Sequence, residues 1–537
     1  MAILPIRDLG SAGVISDVSS YNIPINAFNH GFNVRFDEGK VLRAPIFRNI
    51  KDTLGFSPRF TYGIVPANGF DTVLMVSDAW AIHEYGAGTV TNRSGSITGS
   101  SDPRSYTGTS LADVSYVNRP DRVPVYRGPS GTNFADLPNW DASWRCASLR
   151  SFGDFLIGLN MSEGASSFPS RVRWSNLTLA NQYPGSWDDT DPTVSAGFND
   201  LVQTKTEIID GETLGSNFVI YSNDQVWLME FVGGTFIFNF RKLFTDVGII
   251  NQNCVVEVEG KHYVFDSFDI YMHDGTSKQS ICDERVKNFV FSTLNNQKSD
   301  VCYVQHNPTL NEIYFCYQSG DQYVNFPNAD RCNRAAVYNY RNNTWSFMDL
   351  PNTSSGTIAN VNSVTTYNTS NGTYALTGGT YYQQQDSFAR HTLMVGETLT
   401  ADGITSDKLY GIDLSDAGQI AFQLDTEGTK PVYLERTGLD LDEAGSAVRQ
   451  YTVVTRIYPQ AYTVNTADTT LNFEFGASDL PNATPNYANL AVFDIATDHK
   501  IDSRAAGRYL SYRVTLNDNK DFEISGFDLE ITPTGAR

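Results

Sequence analysis

The residue types able to do chemistry are few in this chain, and most of them are scattered. Among seven histidines, only His262 and His273 fall close together, at the ends of neighbouring strand-like runs. Two imidazoles can share a metal ion only with a third donor, and hydrogen bonding at strand ends is the competing role. The densest carboxylate group is Asp188-Asp189-Thr190-Asp191. Its oxygens suit calcium, but it lacks the alternating D-x-D-x-D-G spacing that wraps the ion, which favours a solvated loop. Six cysteines, Cys146, Cys254, Cys282, Cys302, Cys316 and Cys332, form no C-x-x-C pair. Several lie inside apolar runs such as Tyr314-Phe315-Cys316-Tyr317, so they read as reduced, buried small groups. Trp174, Trp187, Trp227 and Trp345 offer either a sugar-stacking platform or packing between strands, and three of them sit in or beside strand patterns. No phosphate loop, nucleophile elbow or H-E-x-x-H zinc motif occurs. A carboxylate pair for glycoside hydrolysis is a three-dimensional feature that spacing alone does not single out. Every catalytic, cofactor and metal pattern is thus weak at the level of the residues, and an acidic glycosidase propeller stays open.

The elements that must position these residues are strands. Charged residues make up 18% of the 537 residues and aromatics 12%, with 28 Tyr and 32 Phe among abundant Gly, Asn, Ser and Thr. Aromatic and β-branched residues suit pleated surfaces, while Gly and Asn suit tight turns, so the profile is all-β. The net charge of −21 makes the surface repel phosphate, because gripping nucleic acid needs concentrated Lys and Arg. Nowhere is there an apolar run long enough to span a membrane, and Met1 to Gly13 lacks the apolar core of a signal peptide. Synthesis and folding in a cytoplasm are expected.

One small pattern recurs. Phe218–Tyr221, the turn Ser222–Gln225 and Val226–Met229 are matched nearly position for position by His262–Phe265, Asp266–Asp269 and Ile270–His273. A repeat in the forties with short strands is the spacing of β-propeller blades. Similar units start near residues 73, 155, 313 and 374, giving six candidates, with insertions at 100 to 140 and 176 to 205. A series of two-sheet sandwiches is the rival architecture. The predicted domains are an extended arm over 1–50 ending in the hairpin Phe32–Arg43, a propeller over 51–395, and a β region over 396–537. This last region is read as either a separate sandwich or extra sheets completing the propeller.

Leu4–Asp8, Tyr21–Phe28 and Asn33–Val41, then Arg171–Ser175 through Trp187 and Ala196 to Ile209, and finally Gly507–Ser511 and Ser525–Leu529 carry a family likeness. In order and texture the chain resembles the tail nozzle family of short-tailed bacteriophages, which includes the tail tubular protein B and packaged-DNA stabilisation hub groups. The resemblance implies a six-bladed propeller in a virion structural protein that is not an enzyme, with no catalytic residues, no cofactor and no metal site, made in the host cytoplasm. It also implies a homo-hexamer below the adaptor ring, attached tail fibres or spikes, and a channel that retains packaged DNA and conducts it during ejection without binding it specifically. On this reading Arg35, Phe36, Arg43 and Arg48 of the arm form the assembly interface with the ring above, and deleting residues 1–50 leaves the rest folded. A glycan-binding or glycan-hydrolysing propeller and a cytoplasmic scaffold are the alternative function classes.

Overall fold

The computed structural model of the chain describes residues 2–45, 47–51, 53–64, 72–86, 88–97, 99, 106–234, 236–321, 330–359, 391–399, 405–412, 432–440, 451–463, 469–516 and 520–535. Among these residues almost all of the regular structure is strand, with one short α-helix, Lys287–Thr293.

Seven four-stranded units stand side by side among the described residues, each a chain of antiparallel hairpins. Their innermost strands are Pro58–Ile64, Thr107–Leu111, Trp144–Phe152, Ile208–Leu214, Val255–Val258, Tyr303–Asn307 and Ser355–Ala359, and we number the blades 1 to 7 in that order. Each innermost strand neighbours the next, and the last returns to the first, so the ring is closed. An apolar cluster fills the seams between blades. Phe60, Leu74 and Val117 join blades 1 and 2, Leu156 and Tyr116 join 2 and 3, and Ile157 and Phe218 join 3 and 4. Tyr314 and Met394 join 6 and 7, and Met75, Leu393 and Val395 join 7 back to 1.

The architecture is the expected β-propeller, with seven blades in place of six. The units read near 73, 155, 219, 263 and 313 are the middle strands of blades 1, 3, 4, 5 and 6. The one near 374 lies outside the described residues. Blade 2, from Thr107 to Asp136, occupies part of what reads as an insertion, because its inner strand Thr-Gly-Thr-Ser-Leu has no apolar run. The domain limits also differ. The third strand of blade 7 is Thr405–Gly411, and its outermost strand is Arg48–Lys51, which pairs with it antiparallel through Arg48↔Gly411 and Lys51↔Leu409. The ring is therefore closed by a strand from the amino-terminal side, and the propeller reaches beyond residue 395.

Residues 2–43 are not an extended arm. Ala2–Arg7 pairs along Glu523–Gly535, with Ile6 opposite Phe527. The hairpin Val34–Asp37 and Lys40–Arg43 turns through Glu38 and Gly39, both at positive φ, as a two-residue hairpin turn requires, and its second strand adds to Glu523 and Ile524. With Tyr451–Tyr462 and Ile501–Gly507 these strands make one sheet of a sandwich. The opposing sheet holds His30–Phe32, Val432–Leu439, Tyr509–Leu516, Thr470–Ser478 and Asn486–Asp494. Phe473 and Tyr512 from this sheet meet Phe527 from the first edge-on at 6.1 and 5.1 Å, and Phe28 stacks on Phe36 at 5.7 Å. The carboxy-terminal region thus completes blade 7 and then builds a separate sandwich, with the amino-terminal residues as part of its core.

Propeller and sandwich share a sheet. Phe32 pairs in parallel with Phe347 on the outer strand of blade 6 and antiparallel with Tyr433 of the sandwich, which gives nine hydrogen-bonded strands in a row.

Candidate functional site

Where seven blades converge, close approach favours small side chains, and five of the seven inner strands carry Gly, Ser or Thr. A Cβ on Gly63 would meet the Ile358 carbonyl oxygen at 2.5 Å. Each inner strand also has an edge of N–H groups with no strand beyond it, and such donors need partners when buried. In blades 1 and 3, hydroxyls of the preceding blade supply them. Thr61 and Gly63 donate to Ser355 Oγ (3.1 Å) and Thr357 Oγ1 (2.8 Å), and Leu149 and Ser151 donate to Thr107 and Thr109 Oγ1, both at 3.1 Å.

The axis is filled by a polar hub. Arg150 of blade 3 grips Asp210 of blade 4 with two N–H groups, Nε at 2.8 Å and Nη2 at 2.5 Å, and the Ser148 hydroxyl adds a third bond. Asn253, at φ +59°, sits across them. Its N–H donates to Asp210 (2.9 Å), its Oδ1 accepts from Arg150 (2.9 Å), its Nδ2 donates to the Tyr106 carbonyl ahead of blade 2 (2.8 Å), and its own carbonyl accepts from Val304 of blade 6 (2.8 Å). One residue just ahead of blade 5 thereby ties four other blades. Burial works against the charge on Asp210, but Arg150 outweighs it and holds the carboxyl below its usual range. Glu212, half-buried and without a hydrogen bond from Arg150, is pushed up by its burial.

Asn253 also borders a cavity of about 270 Å³ at the mouth where the inner strands begin. Arg59 and Phe60 of blade 1, Tyr303 of blade 6, Ser355 of blade 7 and the charged groups Lys298, Asp300, Asp330 and Arg331 border it as well. Arg331, only 1% exposed, is held by Glu397 (3.0 Å) and Asp407 (3.2 Å) and donates to Ser57. Lys298 pairs with Asp330 at 3.2 Å on the exposed rim.

The structure brings some of the sequence candidates together and separates others. His262 and His273 are directly opposite in blade 5, and Tyr221 of blade 4 inserts its hydroxyl between them, 2.6 Å from His262 Nδ1 and 2.6 Å from His273 Nε2. His262 Nε2 must donate to the Thr213 carbonyl (2.8 Å), so its Nδ1 accepts from Tyr221. The Tyr221 oxygen then accepts from His273 Nε2–H, and His273 Nδ1 accepts from the Gly275 N–H at 3.2 Å. All four ring nitrogens are used in this one neutral chain, which favours the hydrogen-bonding role over the ligand pair. Asp188 and Asp191 accept from the N–H and hydroxyl of Thr190 and Thr193, and Asp189 accepts from Arg173. They are turn-forming carboxylates. Among the described residues no group of three or more His, Cys, Asp or Glu is placed to hold a metal. The four tryptophans belong to three blades. Trp174 donates to the Ser195 carbonyl (2.8 Å), Trp345 to the Ile281 carbonyl (2.9 Å), Lys242 lies over Trp227, and Trp187 packs edge-on against Trp140. All six cysteines are buried free thiols.

Two of the expected assembly residues, Arg35 and Phe36, are committed within the chain. Phe36 is 2% exposed in the sandwich core. Arg35 donates to Glu312 of blade 6 at 2.9 Å and pairs with Asp37 at 3.1 Å, fastening the sandwich to the propeller. Arg43 closes the hairpin opposite Val34, and Arg48 begins the strand that closes blade 7. Neither Asn253, Arg150, Asp210 nor Arg331 stands out in the sequence. The only signals are the polar run Asn251-Gln252-Asn253 ahead of a strand and an acid inside the apolar opening of Ile208–Leu214.

No family model matches the chain, and no curated protein matches it. Among solved structures it is similar to the WD40 β-propeller domain of Doa1, at 10% identity and a TM-score of 0.36, over 70% of this chain and 98% of that one.

Proposed function

We propose that the chain is a structural subunit of a short-tailed bacteriophage virion, forming a homo-hexameric tail nozzle below the adaptor ring that continues the DNA channel. The observation that supports this reading is the junction of the chain ends. Leu4–Asp8 and Ser525–Leu529, which carry the family likeness at opposite ends of the sequence, overlap two strands lying side by side in one sheet, with Leu4 opposite Leu529. The terminal parts of the likeness therefore fall in one structural unit. A sandwich sewn from both ends and sharing a sheet with a propeller also suits a load-bearing part. The net charge of −21 suits a conduit that passes phosphate without holding it. Because Arg35 and Phe36 are used internally, contact with the adaptor falls to other, exposed surfaces.

The test is negative-stain electron microscopy of the purified chain, alone and with adaptor-bearing capsids. Sixfold rings or tubes that add to the capsid vertex are expected. A protein that stays monomeric, ignores such capsids and binds host-surface glycans on an array would overturn the proposal, and so would a hexamer whose channel is lined by Lys and Arg.

A further inference from the structure

We propose that copies of this chain join head to tail, with the far end of blades 3 and 4 on one copy seated on the edge strand Asn486–Asp494 of the next. The inference rests on the nozzle reading and deepens it, since it names the two surfaces by which the subunits meet. Three stretches with exposed apolar side chains carry no charged residue, 175–187, 231–240 and 480–493, although 18% of the chain is charged. The first two follow the third strands of blades 3 and 4, Ser166–Trp174 and Gln225–Phe231. A third strand runs parallel to the first of its blade, so both turns lie at the end away from the cavity. They are neighbours there. The Thr178 N–H donates to the Asp154 carbonyl (2.9 Å), and the ring of Phe155 lies 6.0 Å from that of Phe231. Leu177, Leu179, Phe231, Val232 and Phe236 are exposed on this end, Phe236 to 79%. At the base of the blade 4 hairpin Glu230 and Arg241 neutralise each other at 3.3 Å.

The third stretch belongs to the sandwich. It holds most of Asn486–Asp494, the last of the nine strands that run outward from blade 6, with no strand beyond it among the described residues. Leu480, Leu490 and Val492 are exposed there, and an open strand edge offers backbone donors and acceptors as well. Charge selects the occupant. A basic partner would be drawn to the acidic surface at large, whereas a second copy brings its own charge of −21 and is repelled by it. Two copies can approach only where charge is missing on both, and these surfaces meet that condition. The size also fits. The five side chains on blades 3 and 4 expose on the order of 500 Å², about the non-polar share of a standard interface of roughly 800 Å² a side. Blade 5 separates the two surfaces on one copy, so each is open to a neighbour. Contact between unlike patches is heterologous, and it closes into a ring when the rotation allows.

The test is sedimentation velocity and negative-stain microscopy of the full chain and of single substitutions at exposed positions. The wild type should form rings. Phe236→Asp and Leu490→Asp should each abolish them and leave folded monomers. Mixed in equal amounts, these two variants keep one intact junction between them and should stop at a one-to-one dimer, which a contact between like patches would not give. Phe268→Asp, at an exposed ring between Asp266 and Asp269 on the opposite end of blade 5, should keep the rings. Rings that survive Phe236→Asp or Leu490→Asp, rings lost in Phe268→Asp, or a mixture without the dimer would overturn the inference and leave the nozzle reading standing. A wild-type chain that is monomeric throughout refutes both. Should either aspartate variant not fold, bismaleimide cross-linking of Phe236→Cys chains to Leu490→Cys chains decides, because the six native cysteines are buried, and failure to cross-link sinks the pairing.

Discussion

Acidification should loosen the seam between blades 4 and 5, and the hydrogen-bond chain through Tyr221 sets the size of the effect. Both histidines are neutral in the fold. Burial lowers His262 to about 4, and burial together with the neighbouring His262 lowers His273 to about 3. Asp274 beside His273 opposes this, while Glu212 and Tyr271 face the Tyr221 end. An unfolded histidine titrates near 6.5. Above that pH neither state binds a proton, and the stability is fully present. Below it the unfolded chain takes up protons that the folded chain refuses, so stability falls with falling pH. Refusing a proton over one pH unit costs the fold about 1.4 kcal/mol, so His262 alone removes about 3 kcal/mol between pH 6.5 and 4, and His273 a similar amount. Urea unfolding at steps from pH 7 to 4 measures the loss. His262→Gln removes one group from the balance, and its stability should decline by about 3 kcal/mol less than that of the wild type over the same range. Parallel profiles for the two proteins would refute the reasoning, as would a 13C-histidine resonance of His262 or His273 titrating between pH 6 and 7 in the folded chain.

Deleting residues 1–50 should abolish folding of the sandwich and leave blade 7 one strand short, because Ile6, Leu9, Val14, Phe28, Phe36 and Val41 are all buried. At roughly 1.5–3 kcal/mol for each buried side chain, the loss is on the order of 10 kcal/mol; limited proteolysis should find the carboxy-terminal strands cut, and a protected sandwich would contradict the fold. Asp210→Ala leaves Arg150 buried without its carboxylate and should cost roughly 3–5 kcal/mol in urea unfolding; a loss under about 1 kcal/mol would show that the axis hub is dispensable. Calcium chelation should leave the melting temperature unchanged if Asp188 and Asp191 serve only their turns, and a fall of several degrees would restore the calcium reading.

The legible parts of the chain are those made of contiguous sequence. Phe218–Met229 and His262–His273 are the middle strands of blades 4 and 5, and Tyr509–Leu516 coincides with the strand read there. In each case the apolar alternation and the turn lie within about a dozen residues. Two inner strands leave no such mark, because close packing at the axis fills Thr107–Leu111 and Ser355–Ala359 with Gly, Ser and Thr in place of large apolar residues. Ile501–Gly507 is hidden by its alternation of small and charged residues. Pairings between the chain ends have no local trace, so Arg48–Lys51 reads as the tail of an arm. At the candidate site, the hub is built from single polar residues on different blades, and only their convergence makes them a constellation.

The two closures are nested, and this bears on how the chain is made. Residues 48–51 are synthesised early but find their partner only when Thr405–Gly411 exists, and Ala2–Arg7 waits still longer, for Glu523–Gly535. During synthesis the first fifty residues carry Phe28, Phe32 and Phe36 with nothing to cover them, and pairing so distant in sequence is slow. Nascent chains stalled before residue 400 should remain open rings that a chaperone can hold, with protease resistance arriving late and in two steps. The ring locks first, and the sandwich, which waits for the last strand, locks after it.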